Sequence, residues 1–414
     1  MAQLALIADD LTGALDTSVC LLPADVLVRT DADASAIADA EVVAFNAATR
    51  HLGADDAARV VSGLAVAARM AGVTCVLKKT DSALRGNVGA ELAAVRAATG
   101  AARLHFIPAL PEMGRVTVGG VHYVDGVPVS ESCFGRDPFE PVRESRVGRV
   151  LAAQTDVPVR VVAENDPAPC DFEGIVAYDA TSSESVDRRV RELADAGELG
   201  CVAGCSGIAQ ALAGVLGLTA SPRVRPETGE GNLLVVCGSV NRVSVRQCAF
   251  ARLAGAFVRS LPLDAKFDPS WVDGPAGTRL VTEVARGWAT SPLTVVDGSS
   301  REMPAAVRAA GEGAVERARG LVSGNIGEIV SRVCRVATGG RLLVTGGDVL
   351  ASFLARADAR ELRPVGQLAR GIVGFDLELP GGHALVAAKS GGFGPENLFV
   401  DMAGLPAPSE VECL

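Results

Sequence analysis

Residues 75–91 read CVLKKTDSALRGNVGAE. An apolar run of strand length ends in two lysines, crosses a polar turn containing a glycine, and enters a helical stretch. The same unit recurs along the chain. LALIA at 4–8, VVAF at 42–45, LHFIPA at 104–109 and GIVAYDA at 174–180 are apolar runs that end in small or polar residues. Alanine-rich helical stretches follow, among them 54–71 and 186–197; in the latter Val186, Val190 and Leu193 form an apolar stripe on a charged segment. Apolar runs alternating with helices indicate βα units whose strands are parallel and buried on both faces.

The pattern breaks once. SPRVRPETGEGN, 221–232, is polar, carries two prolines and has no periodic apolar face, so it reads as a linker. A second α/β pattern starts at LLVVCGS, 233–239, and continues through LTVVDG (293–298), RLLVTGG (341–347), GIVGFDLEL (371–379) and ALVAAK (384–389). The stretch 301–335 is predicted to be largely helical, with Gly311, Gly313, Gly320 and Gly324 interrupting it. A chain of 414 residues exceeds what one core usually supports. The expectation is therefore an α/β protein of two domains, residues 1–225 and 226–414, each with a predominantly parallel sheet flanked by helices, and with the active site in the cleft between them.

Composition narrows the function. A net charge of -10 disfavours a nucleic-acid partner, whose backbone requires a concentrated positive field. The 10 cysteines are scattered; Cys201 and Cys205 stand four apart with no second close pair to complete a zinc site, so no metal-binding set is predicted. No basic segment followed by a long apolar one opens the chain, and no apolar run approaches the ~20 residues that span a bilayer. A soluble cytoplasmic protein is expected, without a membrane partner. A homodimer is expected only as a general prior.

Lysine is rare. The chain has four lysines among 39 Lys+Arg, and three of them, Lys78, Lys79 and Lys389, stand in polar, glycine-bearing segments that follow apolar runs. A mobile ammonium there can follow a phosphoryl group from one position to another. Beside Lys79 lie Asp81, Ser82 and Arg85. Arg85 can clamp a carboxylate and Asp81 can accept hydroxyls, a mixed set that suits a hydroxylated acid. In LIADDLTGALD, Asp9 and Asp10 stand at a strand end, where parallel sheets bind ligands. They can accept sugar hydroxyls or cap the following helix. Further on, Arg115 and His122 precede a hairpin-like YVDG and can approach the same crevice, although His122 suits a hairpin role equally, and AGCSG at 203–207 reads as a ligand turn or as close helix packing.

The second half carries three glycine turns after strands: Gly238-Ser239 with Asn241, Gly346-Gly347-Asp348, and Lys389-Ser390-Gly391-Gly392. Glycines let a ligand approach backbone N–H groups, and a helix start adds dipoles that favour phosphate. Together they predict a nucleotide site. Neither GxxxxGK[ST] nor the protein-kinase loops occur, and no clear GxGxxG is followed by a ribose-binding acid.

At these motifs the chain resembles the four-carbon acid sugar kinase family. The matching stretches are IADDLTGALD (7–16), KKTDSALRGNVGAE (78–91), PALPEMGR (108–115), GVP (126–128), AGCSG (203–207), GSVNRVSVRQ (238–247), TGGD (345–348) and KSGGFG (389–394). The resemblance implies ATP-dependent phosphorylation of threonate, erythronate or 3-oxo-tetronate, usually at the terminal hydroxyl, with ATP and Mg2+ as cofactors. It implies that Asp9, Asp10, Lys79, Asp81, Ser82 and Arg85 hold the acid, and that Ser239, Gly346, Gly347, Asp348, Ser390 and Gly391 hold the nucleotide. Two departures stand out. Gly346-Gly347-Asp348-Val349 replaces the frequent GGET, and SESCFGRDP lacks the threonine that follows the GVP hairpin.

The expected mechanism is direct transfer, with Arg85 and Lys79 anchoring the carboxylate, Asp10 as base and Lys389 offsetting charge on the moving phosphoryl group. An NAD(P)-dependent hydroxy-acid oxidoreductase and a non-catalytic acid-sugar sensor are the alternatives.

Overall fold

The computed structural model describes residues 2–406 except 34–36, 38–39, 138–139, 219–230, 301, 303–304, 310, 338–339, 370 and 380–381. The chain divides into two compact units, Met1–Arg223 and Val224–Leu414. Most of the linker segment predicted at 221–232, and the boundary at 225/226, lie outside the described residues.

The first unit contains β1 (Leu4–Ala8), α1 (Leu11–Val19), β2 (Val26–Arg29), β3 (Val42–Asn46), α2 (Ala54–Met70), β4 (Cys75–Lys79), α3 (Val88–Thr99) and β5 (Arg103–Ile107). A small antiparallel sheet follows, β6 (Arg115–Val118), β7 (Val121–Val124) and β8 (Val127–Pro128). The unit is completed by α4 (Val147–Ala152), β9 (Val159–Val162), β10 (Gly174–Tyr178), α5 (Ser183–Asp195), β11 (Cys201–Gly204) and α6 (Ser206–Leu216). Its main sheet runs β2-β3-β1-β4-β11-β5-β10-β9, parallel throughout. The central strands β1 and β4 are buried at every position, which is why they read as unbroken apolar runs rather than as alternation. The helix predicted from 186 begins earlier, because Ser182 and Ser185 form a reciprocal capping box at its start.

The second unit contains β12 (Leu233–Cys237), α7 (Arg242–Leu253), β13 (Phe257–Ser260), α8 (Leu263–Phe267), α9 (Pro275–Thr290), β14 (Leu293–Asp297), α10 (Ala305–Ala309) and α11 (Glu312–Val336). It ends with β15 (Arg341–Thr345), α12 (Gly347–Arg356), β16 (Glu361–Ala369), β17 (Ile372–Leu379), β18 (Gly382–Lys389) and α13 (Leu398–Met402). The order β13-β14-β12-β15-β18 is parallel, whereas β16-β17-β18 is an antiparallel meander. Thus β17 and β18, expected to join the parallel pattern, form a hairpin. Among the described residues Gly311 interrupts the long helical stretch, and α11 runs through Gly313, Gly320 and Gly324. Burial of Ile326, Ile329, Val330 and Val333 on one face of α11 outweighs the ~1 kcal/mol that each interior glycine costs.

Register decides where the chemistry lies. In the first unit Ala8 pairs with Asn46 and Lys79, and Lys79 with Gly204, so β1, β3, β4 and β11 end at one edge. In the second, Cys237 pairs with Asp297 and Thr345, and Thr345 with Lys389. Each edge gathers the turns that follow its strands, the position at which open parallel sheets bind ligands.

Candidate functional site

The turn after β3 is pinned to the turn after β1. The amides of Thr49 and Arg50 both donate to the Asp9 carbonyl, at 3.0 and 3.3 Å. That aims the buried Arg50 guanidinium at three carboxylates: Nε lies 2.7 Å from Asp9, Nη1 2.6 Å from Asp10 and Nη2 3.6 Å from Asp81. Asp81 also receives Arg85 through two bonds, Nε at 3.0 Å and Nη2 at 2.8 Å. Arg85 faces Asp137 at 3.5 Å and lies over the Phe134 ring at 5.1 Å. Arg115 approaches the same ring at 5.8 Å.

The electrostatics follow from this pairing. Burial opposes ionisation of Asp10, yet Arg50, Lys79 and the Thr12 hydroxyl hold its carboxyl below the ordinary value. Burial opposes Asp81 likewise, and Arg85 and Arg50 more than reverse it. Burial also disfavours the Arg50 cation, but Asp10, Asp9 and Asp81 fix its proton more firmly than usual. Asp10 has a second duty: its side chain caps α1, accepting the Gly13 amide at 2.7 Å and the Thr12 hydroxyl at 2.9 Å. The capping and binding readings of the Asp9-Asp10 pair are therefore compatible.

Adjacent positions on β4 point to opposite faces, so its two lysines part company. Lys78 forms a buried ion pair with Glu91 at 2.9 Å, and Glu91 also accepts the Thr49 hydroxyl. Lys79 Nζ donates to the Thr80 carbonyl at 2.8 Å and has no carboxylate within ion-pair range among the described residues. Burial raises the Asp16 carboxyl above its usual value, with Lys79 and Ser206 pulling it back. The Ser82 carbonyl accepts His122 Nε2 at 2.9 Å, while Thr117 Oγ1 lies 3.0 Å from His122 Nδ1. His122 thus ties the β6–β7 hairpin to the Ser82 turn. In AGCSG, Gly204 and Gly207 lie against the Ile107 and Ala109 carbonyls, the close-packing alternative.

In the second unit the three glycine turns converge. Gly346 has φ +109°, open to glycine at little cost, and its amide donates to the Lys389 carbonyl at 3.1 Å. A Cβ on Gly391 would sit 2.0 Å from Ser239 Oγ, so the residue is small because Ser239 occupies the space. Helix α7 fastens the last turn: Ser244 donates to the Gly391 carbonyl at 2.8 Å, and Gln247 to those of Phe393 and Pro395 at 3.0 and 2.9 Å. Asn241 caps α7 and its amide donates to Ser239 Oγ at 3.2 Å. Lys389 is buried, and among the described residues its Nζ bonds only to the Ser390 and Gly391 carbonyls, at 3.1 and 3.3 Å. Burial pushes its ammonium down to about 8. Asp348 stands in the first turn of α12 and binds Arg319 Nε at 2.9 Å.

Asp9, Asp10, Lys79, Asp81, Ser82 and Arg85 thus belong to one strand-end cluster, and Ser239, Gly346, Gly347, Asp348, Lys389, Ser390 and Gly391 to another. Sequence reading missed Arg50, the hub of the first. Its only signal is position, in the turn after the VVAF run; nothing local separates it from the other arginines. Ser244 and Gln247 were visible only as part of GSVNRVSVRQ. Among the described residues no group of three or more His, Cys, Asp or Glu forms a metal cage, and no helix is long and apolar enough to cross a membrane.

Comparison with known proteins agrees with this division. Residues 4–212 match the family described as a sugar-binding N-terminal domain, and residues 234–399 match the nucleotide-binding C-terminal domain. The chain is 30% identical to the D-threonate kinase of Bordetella bronchiseptica, over 97% of this chain and 96% of that protein. It is 27% identical to the 3-oxo-tetronate kinase of Pseudomonas fluorescens, covering 97% and 96%, and 27% identical to the D-erythronate kinase of Heliobacterium modesticaldum, covering 84% of each. A crystal structure from Salmonella typhimurium LT2 shares the fold, with TM-score 0.75 at 20% identity over 97% of this chain and 98% of that one. With both domains matched in order and kinases of three related acids aligned across most of its length, the chain belongs to the four-carbon acid sugar kinase family and is a kinase of four-carbon acid sugars.

Proposed function

We propose that the protein transfers the terminal phosphoryl group of ATP to the terminal hydroxyl of a four-carbon sugar acid of the threonate, erythronate and 3-oxo-tetronate class. One observation carries the reading: a single chain holds a strand-end cluster of carboxylates and cations built for a hydroxylated acid, and a second strand end where glycine turns surround a buried lysine. Lys79 and Arg85 anchor the substrate carboxylate; Lys79 has no carboxylate partner of its own to displace. Asp10 and Asp81, kept ionised by Arg50, accept bonds from the substrate hydroxyls. Asp10 receives the proton of the attacking hydroxyl late, because a loose phosphoryl-transfer transition state makes little demand on a strong base.

On the nucleotide side, the amides of the Gly346-Gly347 and Ser390-Gly391 turns and the start of α12 hold the phosphates, while Lys389 offsets charge on the group in transit. The residues present suit Mg2+ carried on phosphate oxygens rather than in a protein cage, with Asp348 the carboxylate at that turn; the ion would supply charge neutralisation there.

A coupled assay of ADP release with D-threonate, D-erythronate and 3-oxo-tetronate tests the reading. Acid-dependent ADP formation with at least one of them is expected. Folded protein that releases no ADP with any of the three would remove it.

A further inference from the structure

All four lysines of this chain are buried: Lys78 and Lys389 at 0% exposure, Lys266 at 2% and Lys79 at 5%. The surface cations are arginines. Lys78 has Glu91, whereas Lys79 and Lys389 lie in the two clusters already described. Lys266 belongs to neither, and no sequence motif draws attention to it.

Its position is defined by the strands around it. Lys266 stands on the short helix α8, with its carbonyl held by Asn325 of α11 at 3.1 Å. Among the described residues its only hydrogen bond from Nζ is a long one, 3.4 Å, to the Ser300 carbonyl in the turn after β14. That turn abuts the end of β12: Gly298 donates to the Cys237 carbonyl at 2.8 Å, two residues before Ser239. Across the strand ends Asp297, Cys237, Thr345 and Lys389 pair in one row. The turn that holds Lys266 and the strand that carries Lys389 therefore lie on opposite sides of β12, whose following turn carries Ser239.

Carboxylates do not account for Lys266. Asp297 and Glu302 act on it only from beyond ion-pair range. Asp297 is already engaged, accepting the Ser299 amide and hydroxyl at 3.1 and 2.6 Å and Arg252 at 3.3 Å. A buried ammonium without an anion costs several kcal/mol, and burial accordingly lowers the proton affinity of Lys266. A bound polyanion would supply the missing partner, and lysine serves phosphate as a point charge without requiring a fixed fork geometry.

We propose that Lys266 is a second cationic contact for the phosphate chain of the nucleotide, approaching from the β14 side of β12, with Lys389 on the opposite side beyond β15. This rests on the kinase reading above. The experiment is calorimetric titration of the full chain and of Lys266→Met with adenosine, ADP and ATP, together with the melting temperature of the unliganded proteins. The expected result is a loss graded by phosphate: unchanged adenosine binding, weaker ADP, and ATP weakened by about 10- to 100-fold. The melting temperature of the variant should stay level or rise, because an uncompensated buried charge has been replaced by a hydrophobe of similar volume. Lys266→Gln, which keeps a donor for the Ser300 carbonyl but no charge, should show the same graded loss and guards against a packing defect in the methionine variant.

Equal affinity of wild type and both variants for ATP would overturn the assignment. So would adenosine weakened as much as ATP in both variants, since that pattern marks a structural role. Wild type that binds neither ADP nor ATP would overturn the kinase reading itself, and this inference with it.

Discussion

The two strand-end clusters solve the problem of buried charge in opposite ways. In the first unit every carboxylate around Arg50 has a guanidinium partner, and Arg50 alone serves three of them. In the second unit Lys389 leans on two carbonyl oxygens and meets no carboxylate. The guanidinium–carboxylate charge of the first cluster is thus paired within the fold, whereas its buried Lys79 donates to the Thr80 carbonyl. Under the proposed nucleotide assignment, binding a polyanion at the second cluster relieves the cost of a buried ammonium already present in the fold.

The sharpest way to break this contrast is to remove its hub. Arg50→Met leaves three carboxylates, two of them buried, without their shared cation, and a loss of about 3–5 kcal/mol is expected by chemical denaturation, with acid-dependent turnover abolished. The pH dependence should change as well. Asp10 and Asp81 are held below their ordinary values, so their stabilisation is complete above about pH 4 and drains away as pH falls further. In the variant the losses should begin at higher pH. A variant as stable as wild type, with unchanged acid denaturation, would mean the carboxylates do not depend on Arg50.

Lys389→Met should move in the other direction. Removing the charge on the transferring group is expected to lower kcat by about 10²- to 10³-fold, while the free protein gains stability. An ammonium pushed down to about 8 represents roughly 3 kcal/mol of strain. That cost is full below the folded value and fades as pH rises toward the unfolded value near 10.4. The stability gap between variant and wild type should therefore be widest at neutral pH and close across that window; a gap independent of pH would contradict the assignment.

The smallest of the three effects belongs to Arg85→Ala. Asp81 retains Arg50, so folding should survive, and KM for the acid is expected to rise about 10-fold with KM for ATP unmoved. Equal changes in both constants would show that the acid and nucleotide functions are not separable at this residue.

The fold was largely legible because parallel strands buried on both faces leave unbroken apolar runs, as LALIA and LLVVC do. What escaped was whatever depends on pairing between distant segments. The strand β16 carries Pro364 and Gly366, which dilute its signal, and the β17–β18 hairpin resembled two members of a parallel series. Interior glycines in α11 looked like breaks because the buried face that offsets them is a tertiary property. In the acid cluster, Asp9, Asp10, Lys79 and Asp81 could be named from their motifs. Arg50 could not, since only the register of Ala8 with Asn46 brings its turn to theirs.

Confinement of every lysine to the interior also has a chemical consequence. Reagents that acylate amines find no side-chain target on the outer surface, and an amine depressed to about 8 is partly in its nucleophilic form at neutral pH. Covalent labelling of lysine in the native protein would thus require local opening that exposes a buried amine, so its rate would report on the fluctuations of the two clusters and of α8 rather than on the surface.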